Sequence, residues 1–144
     1  MGLLLDTKGP EVRIKQFENC KIELEAGQFF TLTCDDLVGN ESIVSVTYRN
    51  LSKDVNKGDT ILIDDGLIAL RVKNTTDIEV QCEVINGGII SDGKGVNIPG
   101  VAINLPYISQ KDQKDILFAI FLSFNDLNIS FAVRARNLFV FLYE

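Results

Sequence analysis

Between residues 11 and 104 the chain alternates short strand-like runs with turn signals and offers no amphipathic helical stripe of any length. The runs lie near 11–15, 21–25, 28–34, 42–47, 60–64, 67–73, 77–86 and 101–104. Ala26-Gly27 and Asn56-Lys57-Gly58-Asp59 read as turns. Asp64-Asp65-Gly66, between Ile61-Leu62-Ile63 and Leu67-Ile68-Ala69-Leu70, is a hairpin signal. Strands this short and this regularly spaced must close on one another to bury their apolar faces, so the pattern predicts a small β-barrel or sandwich in a mainly β chain.

The two ends follow other rules. Leu3-Leu4-Leu5, closed by Asp6-Thr7-Lys8-Gly9-Pro10, is continuously apolar, as is a strand covered on both faces in a parallel sheet. After Pro106, Ser109-Gln110-Lys111-Asp112 has the form of a capping box, and Ile116, Leu117 and Ile120 follow at helical spacing. A helix is predicted from about residue 110 to about 122, broken at Asn125-Asp126. Six of the nine Phe lie between 118 and 141, and Leu138 to Leu142 shows no period. Residues 121–144 therefore read as part of a larger core, and as an oligomer-forming or aggregating surface if exposed.

Charge and residue types exclude several functions. A net charge of −6, with no Lys/Arg cluster, disfavours nucleic acid and anionic membrane as partners. There is no histidine, which removes Ser-His-Asp and Cys-His catalysis and most zinc sites. Cys20, Cys34 and Cys82 form no C-x-x-C pair and suggest free thiols in a reducing compartment. The N-terminus lacks the basic region of a signal peptide, and Asn125, Asp126 and Asn128 interrupt the longest apolar stretch. A cytoplasmic location is expected.

Three stretches could carry chemistry. Residues 87–100, GGIISDGKGVNIPG, hold five of the 11 glycines, and Gly88 to Lys94 match the start of the phosphate-cradling G-x-x-x-x-G-K-[ST] loop. That loop must open a helix and hold magnesium through a hydroxyl. Here Gly95 replaces the hydroxyl residue and Pro99 forbids the helix. The remaining readings are a turn-rich β connection, or a loop that presents Lys94 to an anion. The second stretch runs from Asp6 to Arg13. Asp6 and Thr7 supply hard oxygen donors at a strand end, and Arg13 could grip a phosphate bidentately; a strand-ending charge cluster fits as well. In the third, Asp64-Asp65-Gly66, paired carboxylates could bind a metal or move protons, although a hairpin turn alone explains them.

The succession LLLDTKGPEVR, ILIDDGLIAL, GGIISDGKGVNIPG and LPYISQKDQKDI resembles pyruvate kinase over about residues 3–120. In that family a β-barrel lid is inserted after the third strand of a (β/α)8 catalytic barrel. The resemblance implies the third barrel strand in residues 1–9, the lid in 10–105, and a helix and barrel remnant in 106–144. It implies phosphoryl transfer from phosphoenolpyruvate to ADP, giving pyruvate and ATP in glycolysis, with Mg2+ and K+ as cofactors and a homotetrameric full enzyme. By this resemblance Asp6 and Thr7 are potassium ligands, Arg13 and Lys94 contact nucleotide phosphates, and Asp65 is a lid carboxylate. The family's Thr-Gly after the Arg is Ile14-Lys15 here, and its next-strand Ala-Ser-Phe is only loosely echoed by Asn128 to Arg134. Its catalytic Lys, magnesium carboxylates and phosphoenolpyruvate-binding Arg and Asn have no match in this sequence. No catalytic residue is therefore expected in this chain, which should be inactive alone. The alternative reading is a non-catalytic β-barrel that binds a nucleotide or a protein.

Overall fold

The computed structural model describes residues 2–6, 11–105, 110–125, 130–135 and 138–142, with side chains described for 11–105 and 110–118. Contacts divide the chain into two compact units: Met1–Glu11 with Leu105–Glu144, and Val12–Asn104. The chain opens with β1 (Gly2–Asp6) in the first unit and passes into the second through β2 (Val12–Arg13), β3 (Lys21–Leu24), β4 (Phe29–Thr33) and β5 (Ile43–Ser45). A four-residue helix α1 (Leu51–Asp54) precedes β6 (Thr60–Ile63), β7 (Ile68–Thr75), β8 (Glu79–Asn86), β9 (Gly88–Ser91) and β10 (Gly95–Asn97).

Seven of these strands form one sheet in the order β2-β10-β6-β7-β8-β4-β5. Its two edges meet. The Lys15 N–H donates to the Ser45 carbonyl and the Thr47 N–H to the Arg13 carbonyl, both at 2.8 Å, with Ile14 opposite Val46. The sheet is thus a closed barrel without a free edge along these residues. β3 and β9 pair as a separate ribbon, Ile22 opposite Ile90.

Alternation builds the core. Val80, Cys82 and Val84 of β8 are fully or almost fully buried, while Gln81 is exposed and Glu83 half-buried. Ile68, Leu70 and Val72 of β7 do the same, with Arg71 and Lys73 outward. Phe30, Leu32, Val44, Ile61 and Ile63 are buried with them. Each buried Leu, Ile, Val or Phe contributes roughly 1.5–3 kcal/mol, and period-two spacing is what delivers them all to one face. Two irregularities interrupt the β7–β8 ladder, one between Val72 and Asn74 and one between Ala69 and Leu70. Ala69 faces Asn86 and Leu70 faces Val84, which leaves Ile85 unopposed in a β-bulge and 49% exposed.

The mainly β reading of residues 11–104 holds, with local corrections. Residues 101–104 are not a strand. Pro99-Gly100 turns the chain, the Val101 N–H closes onto the Ile98 carbonyl at 3.3 Å, and the last ladder segment is β10, upstream of that turn. The short helix α1 was not foreseen, because four residues are too few to show a helical period.

In the other unit, β1 pairs in parallel with β11 (Ser130–Ala135), Leu4 opposite Ala132, and β11 pairs antiparallel with β12 (Leu138–Leu142). The helix α2 spans Gln110–Asn125, ending at the expected Asn125 and three residues later than the predicted 122. Asp112 in its first turn is 2% exposed, whereas Leu117 and Phe118 are more than 60% exposed. Ser109, the other half of the capping box, lies outside the described residues. β12 showed no period in sequence because Leu138 to Leu142 is apolar at every position, which is a strand without alternation.

Candidate functional site

The Gly-rich segment 87–100 is neither a cradle nor a loose loop. Gly88–Ser91 is β9, paired with β3, and Gly95–Asn97 is β10, paired with β2 and β6. Between them Asp92-Gly93 makes a turn, with Gly93 at φ 70°, in the left-handed region that glycine enters without strain. No helix follows Lys94, so the architecture of the phosphate-cradling loop is absent.

This turn is strapped to the segment that follows β2. The Ile14 N–H donates to the Lys94 carbonyl at 3.0 Å, and the Gly93 N–H to the Lys15 carbonyl at 3.3 Å. The Asp92 N–H donates to the Cys20 carbonyl at 3.1 Å, while its Oδ1 accepts the Phe17 N–H at 2.8 Å. Arg13 Nη1 donates to the Gly93 carbonyl at 2.6 Å. Val12 and Ile14 point into the barrel, so Arg13 and Lys15 point outward on the opposite face of that strand. Lys15 Nζ is 2.9 Å from Asp36 Oδ1.

The hairpin 64–67 meets the same place from the other side of β10. The Asp64 N–H donates to the Gly95 carbonyl, and the Leu67 N–H to the Asp64 carbonyl, both at 3.1 Å. Asp64, Asp65 and Gly66 have φ of 55°, 54° and 93°, three left-handed residues in a row. Positive φ at Asp65 and Gly66 is what a type I′ turn requires, and Asp tolerates it better than most side chains. Lys94 Nζ stands 3.0 Å from Oδ1 and 3.0 Å from Oδ2 of Asp64.

The barrel therefore brings Arg13 and Lys94, with Asp64, to the adjacent strands β2, β10 and β6, while the Lys15 ammonium is taken up by Asp36. Such a group can hold an anion by charge and donated hydrogen bonds; it contains no nucleophile activated by a base. Of the residues predicted from sequence, Arg13 and Lys94 are brought together through Gly93. Asp65 occupies the adjoining turn with its side chain exposed, and the carboxylate that meets Lys94 is that of Asp64. Asp6 ends β1, but its side chain, like the whole of Thr7, lies outside the described residues. Asp64 was missed as the partner of Lys94, and Lys15 as the residue whose carbonyl receives the Gly93 N–H. The two-residue spacing from Arg13 could have flagged Lys15, whereas in Asp64-Asp65-Gly66 sequence alone does not say which carboxylate turns toward β10.

Among the described residues no group of three or more Cys, Asp and Glu is arranged to hold a metal ion. Burial pushes the Cys82 thiol up to about 12, so it is no nucleophile at neutral pH. No helix among the described residues is long and apolar enough to cross a membrane.

Comparison with known proteins agrees across sequence and structure. The family model for the pyruvate kinase barrel domain matches residues 1–140. A pyruvate kinase of Bacillus licheniformis is 48% identical over 122 residues, covering 83% of this chain and 21% of its own length. One of Geobacillus stearothermophilus is 44% identical over 140 residues, covering 95% of this chain and 24% of its own. A crystal structure of a pyruvate kinase from Cryptosporidium parvum superposes with a TM-score of 0.84 at 36% identity, over 95% of this chain and 27% of that one. The chain thus spans about a quarter of the relatives it matches, and over nearly its whole length it belongs to the pyruvate kinase family.

Proposed function

We propose that the unit Val12–Asn104 is the lid of a pyruvate kinase and that Arg13 and Lys94 bind nucleotide phosphate. The full-length protein would transfer the phosphoryl group of phosphoenolpyruvate to ADP, giving pyruvate and ATP, as a cytoplasmic homotetramer in glycolysis. Residues 1–9 would be the third strand of its catalytic barrel, 10–105 the lid, and 106–144 a helix and remnant of that barrel. The observation that carries this reading is the convergence of Arg13 and Lys94, 81 positions apart, through the Arg13–Gly93 hydrogen bond at 2.6 Å.

In phosphoryl transfer the protein chiefly positions charge and excludes water. Lys94 supplies a mobile point charge for one phosphate oxygen. Arg13, whose Nη1 donates to the Gly93 carbonyl, brings a permanent positive charge to the same turn. Asp65 serves as a lid carboxylate. Mg2+ and K+ are the cations the family implies, and when bound they would supply positive charge against that of the transferred group. Asp6 and Thr7 are proposed for potassium, and no described residue is assigned to magnesium. The chain alone does not turn over, because the family's catalytic Lys and magnesium carboxylates have no match in its sequence.

Titrating ADP onto the 144-residue chain tests the reading. Millimolar ADP should perturb the amide signals of Arg13, Gly93 and Lys94, and Lys94→Ala should abolish the effect while the barrel stays folded. An ADP response that survives Lys94→Ala removes the phosphate role. No response at all favours a non-catalytic interaction barrel. A coupled pyruvate-formation assay on the chain should stay silent.

A further inference from the structure

We infer that Asp64 is the positioning residue for Lys94, holding its ammonium out from the barrel in one place before any phosphate arrives; the ligand side of this inference rests on the reading of Lys94 given above. The backbone of Lys94 is fixed by the Ile14 N–H on its carbonyl, but that leaves a four-carbon stem free to swing. Among the described residues, Asp64 is the one hydrogen-bond and ion-pair partner of Lys94 Nζ. Its two oxygens stand equally far from Nζ, at 3.0 Å each. An ammonium has three protons, and two carboxylate oxygens occupy at most two of them. The third remains for an anion, and the lysine side chain is still 36% exposed. The pair therefore orders Lys94 without hiding it.

Asp64 is itself held on both sides. Its N–H is bound by Gly95, its carbonyl is bound by Leu67, and its φ of 55° is one that most side chains avoid. The neighbouring Asp65, with the same left-handed backbone, is exposed. A left-handed residue anchored at both ends is a rigid post. Its side chain is 21% exposed, so the post is less screened by water than an open surface pair.

The test uses two substitutions that accept this backbone. Asp64→Gly removes the carboxylate and also relieves the left-handed strain, so the turn is kept. Asp64→Asn keeps an acceptor and tolerates positive φ while removing the charge. Two readouts are taken on the whole chain: the order parameter at Lys94 Cε by NMR relaxation, and the dissociation constant for ADP. In Asp64→Gly the Lys94 order should fall to that of the exposed Lys57, and ADP should bind roughly three- to ten-fold more weakly. Asp64→Asn, which keeps one acceptor but no charge, should lose less of both than Asp64→Gly does.

Unchanged order of Lys94 in Asp64→Gly overturns the inference. So does tighter ADP binding in both variants, which would make Asp64 a competitor for the ammonium. Lys94→Met separates the two levels. If it binds ADP as the unaltered chain does, the phosphate reading of Lys94 fails, while the Cε order parameters still decide whether Asp64 positions the side chain.

Discussion

Asp92 Oδ1 accepts the backbone N–H of Phe17 at 2.8 Å, joining positions 75 residues apart. Phe17 is 3% exposed, so its N–H has little access to water if Asp92 is lost. Asp92 thereby fixes the turn that carries Gly93 and Lys94 against the segment after β2. Asp92→Ala should cost about 1–3 kcal/mol of stability, the cost of an unsatisfied buried donor. Asp92→Asn, which keeps an acceptor, should recover most of it. Urea unfolding of the two variants checks this; equal stability of Asp92→Ala and the unaltered chain would leave the strap without energetic weight.

Two glycines of the same segment should answer oppositely to one methyl group. A Cβ on Gly87 would lie 2.2 Å from the Leu24 carbonyl oxygen and 3.1 Å from the Ala26 N, both backbone atoms with no easy retreat. A Cβ on Gly95 would meet nothing within 4 Å. Gly87→Ala should therefore destabilise by about 1–3 kcal/mol or more, and Gly95→Ala by less than about 0.5 kcal/mol. Thermal melts of the two proteins, run side by side, read the contrast directly.

Much of this was legible in the chain because the strands alternate. Val80, Cys82 and Val84 announce the inward face of β8, and Asp65-Gly66 announces a hairpin, from local physics alone. How the barrel closes was not legible. It depends on Lys15 meeting Ser45 and Thr47 meeting Arg13, contacts across 30 or more residues that no short window contains. The site divides the same way. Arg13 and Lys94 stand out by residue type and by family resemblance. Asp64 emerges only once β10 is seen to run between β2 and β6, which brings residue 64 to residue 94. The Gly-rich motif could be set aside for a physical reason as well: G-x-x-x-x-G-K describes a strand-to-helix turn, Pro99 forbids the helix, and the same letters lie here in a strand-to-strand turn.

Completing the motif should therefore achieve nothing. Gly95→Ser supplies the missing hydroxyl residue, and the open space at Gly95 should accept it. Gly95 nevertheless stays opposite Arg13 in the ladder, so no helix N-terminus forms to receive a phosphate. ADP affinity of Gly95→Ser, with and without magnesium, should match that of the unaltered chain within about two-fold. A magnesium-dependent gain of about ten-fold would show that the segment can be converted into a working phosphate loop.

The three thiols should react in the order of their exposure, and the slowest should tie stability to alkaline pH. Cys20 is exposed and should label first with a maleimide near neutral pH. Cys34 is half-buried, and its thiol donates weakly to the Tyr48 carbonyl at 3.7 Å and to Ser52 Oγ at 3.8 Å, so it should follow. Cys82 is fully buried inside β8 and should label only on unfolding. Burial raises its thiol from the ordinary 9.0 to about 12, so the folded chain holds that proton more tightly than the unfolded chain does. The resulting stability is fully present below pH 9 and is lost as pH climbs from there towards about 12. Tyr48 acts in the same direction: burial first, and then its hydrogen bond to Asp54, raise its phenol above the ordinary 10.0. Urea midpoints should accordingly be flat through neutral pH and fall steeply above pH 9, and Cys82→Val should make the fall shallower by removing one of the two protons. An unchanged alkaline slope in Cys82→Val would assign the whole effect to Tyr48 and other groups.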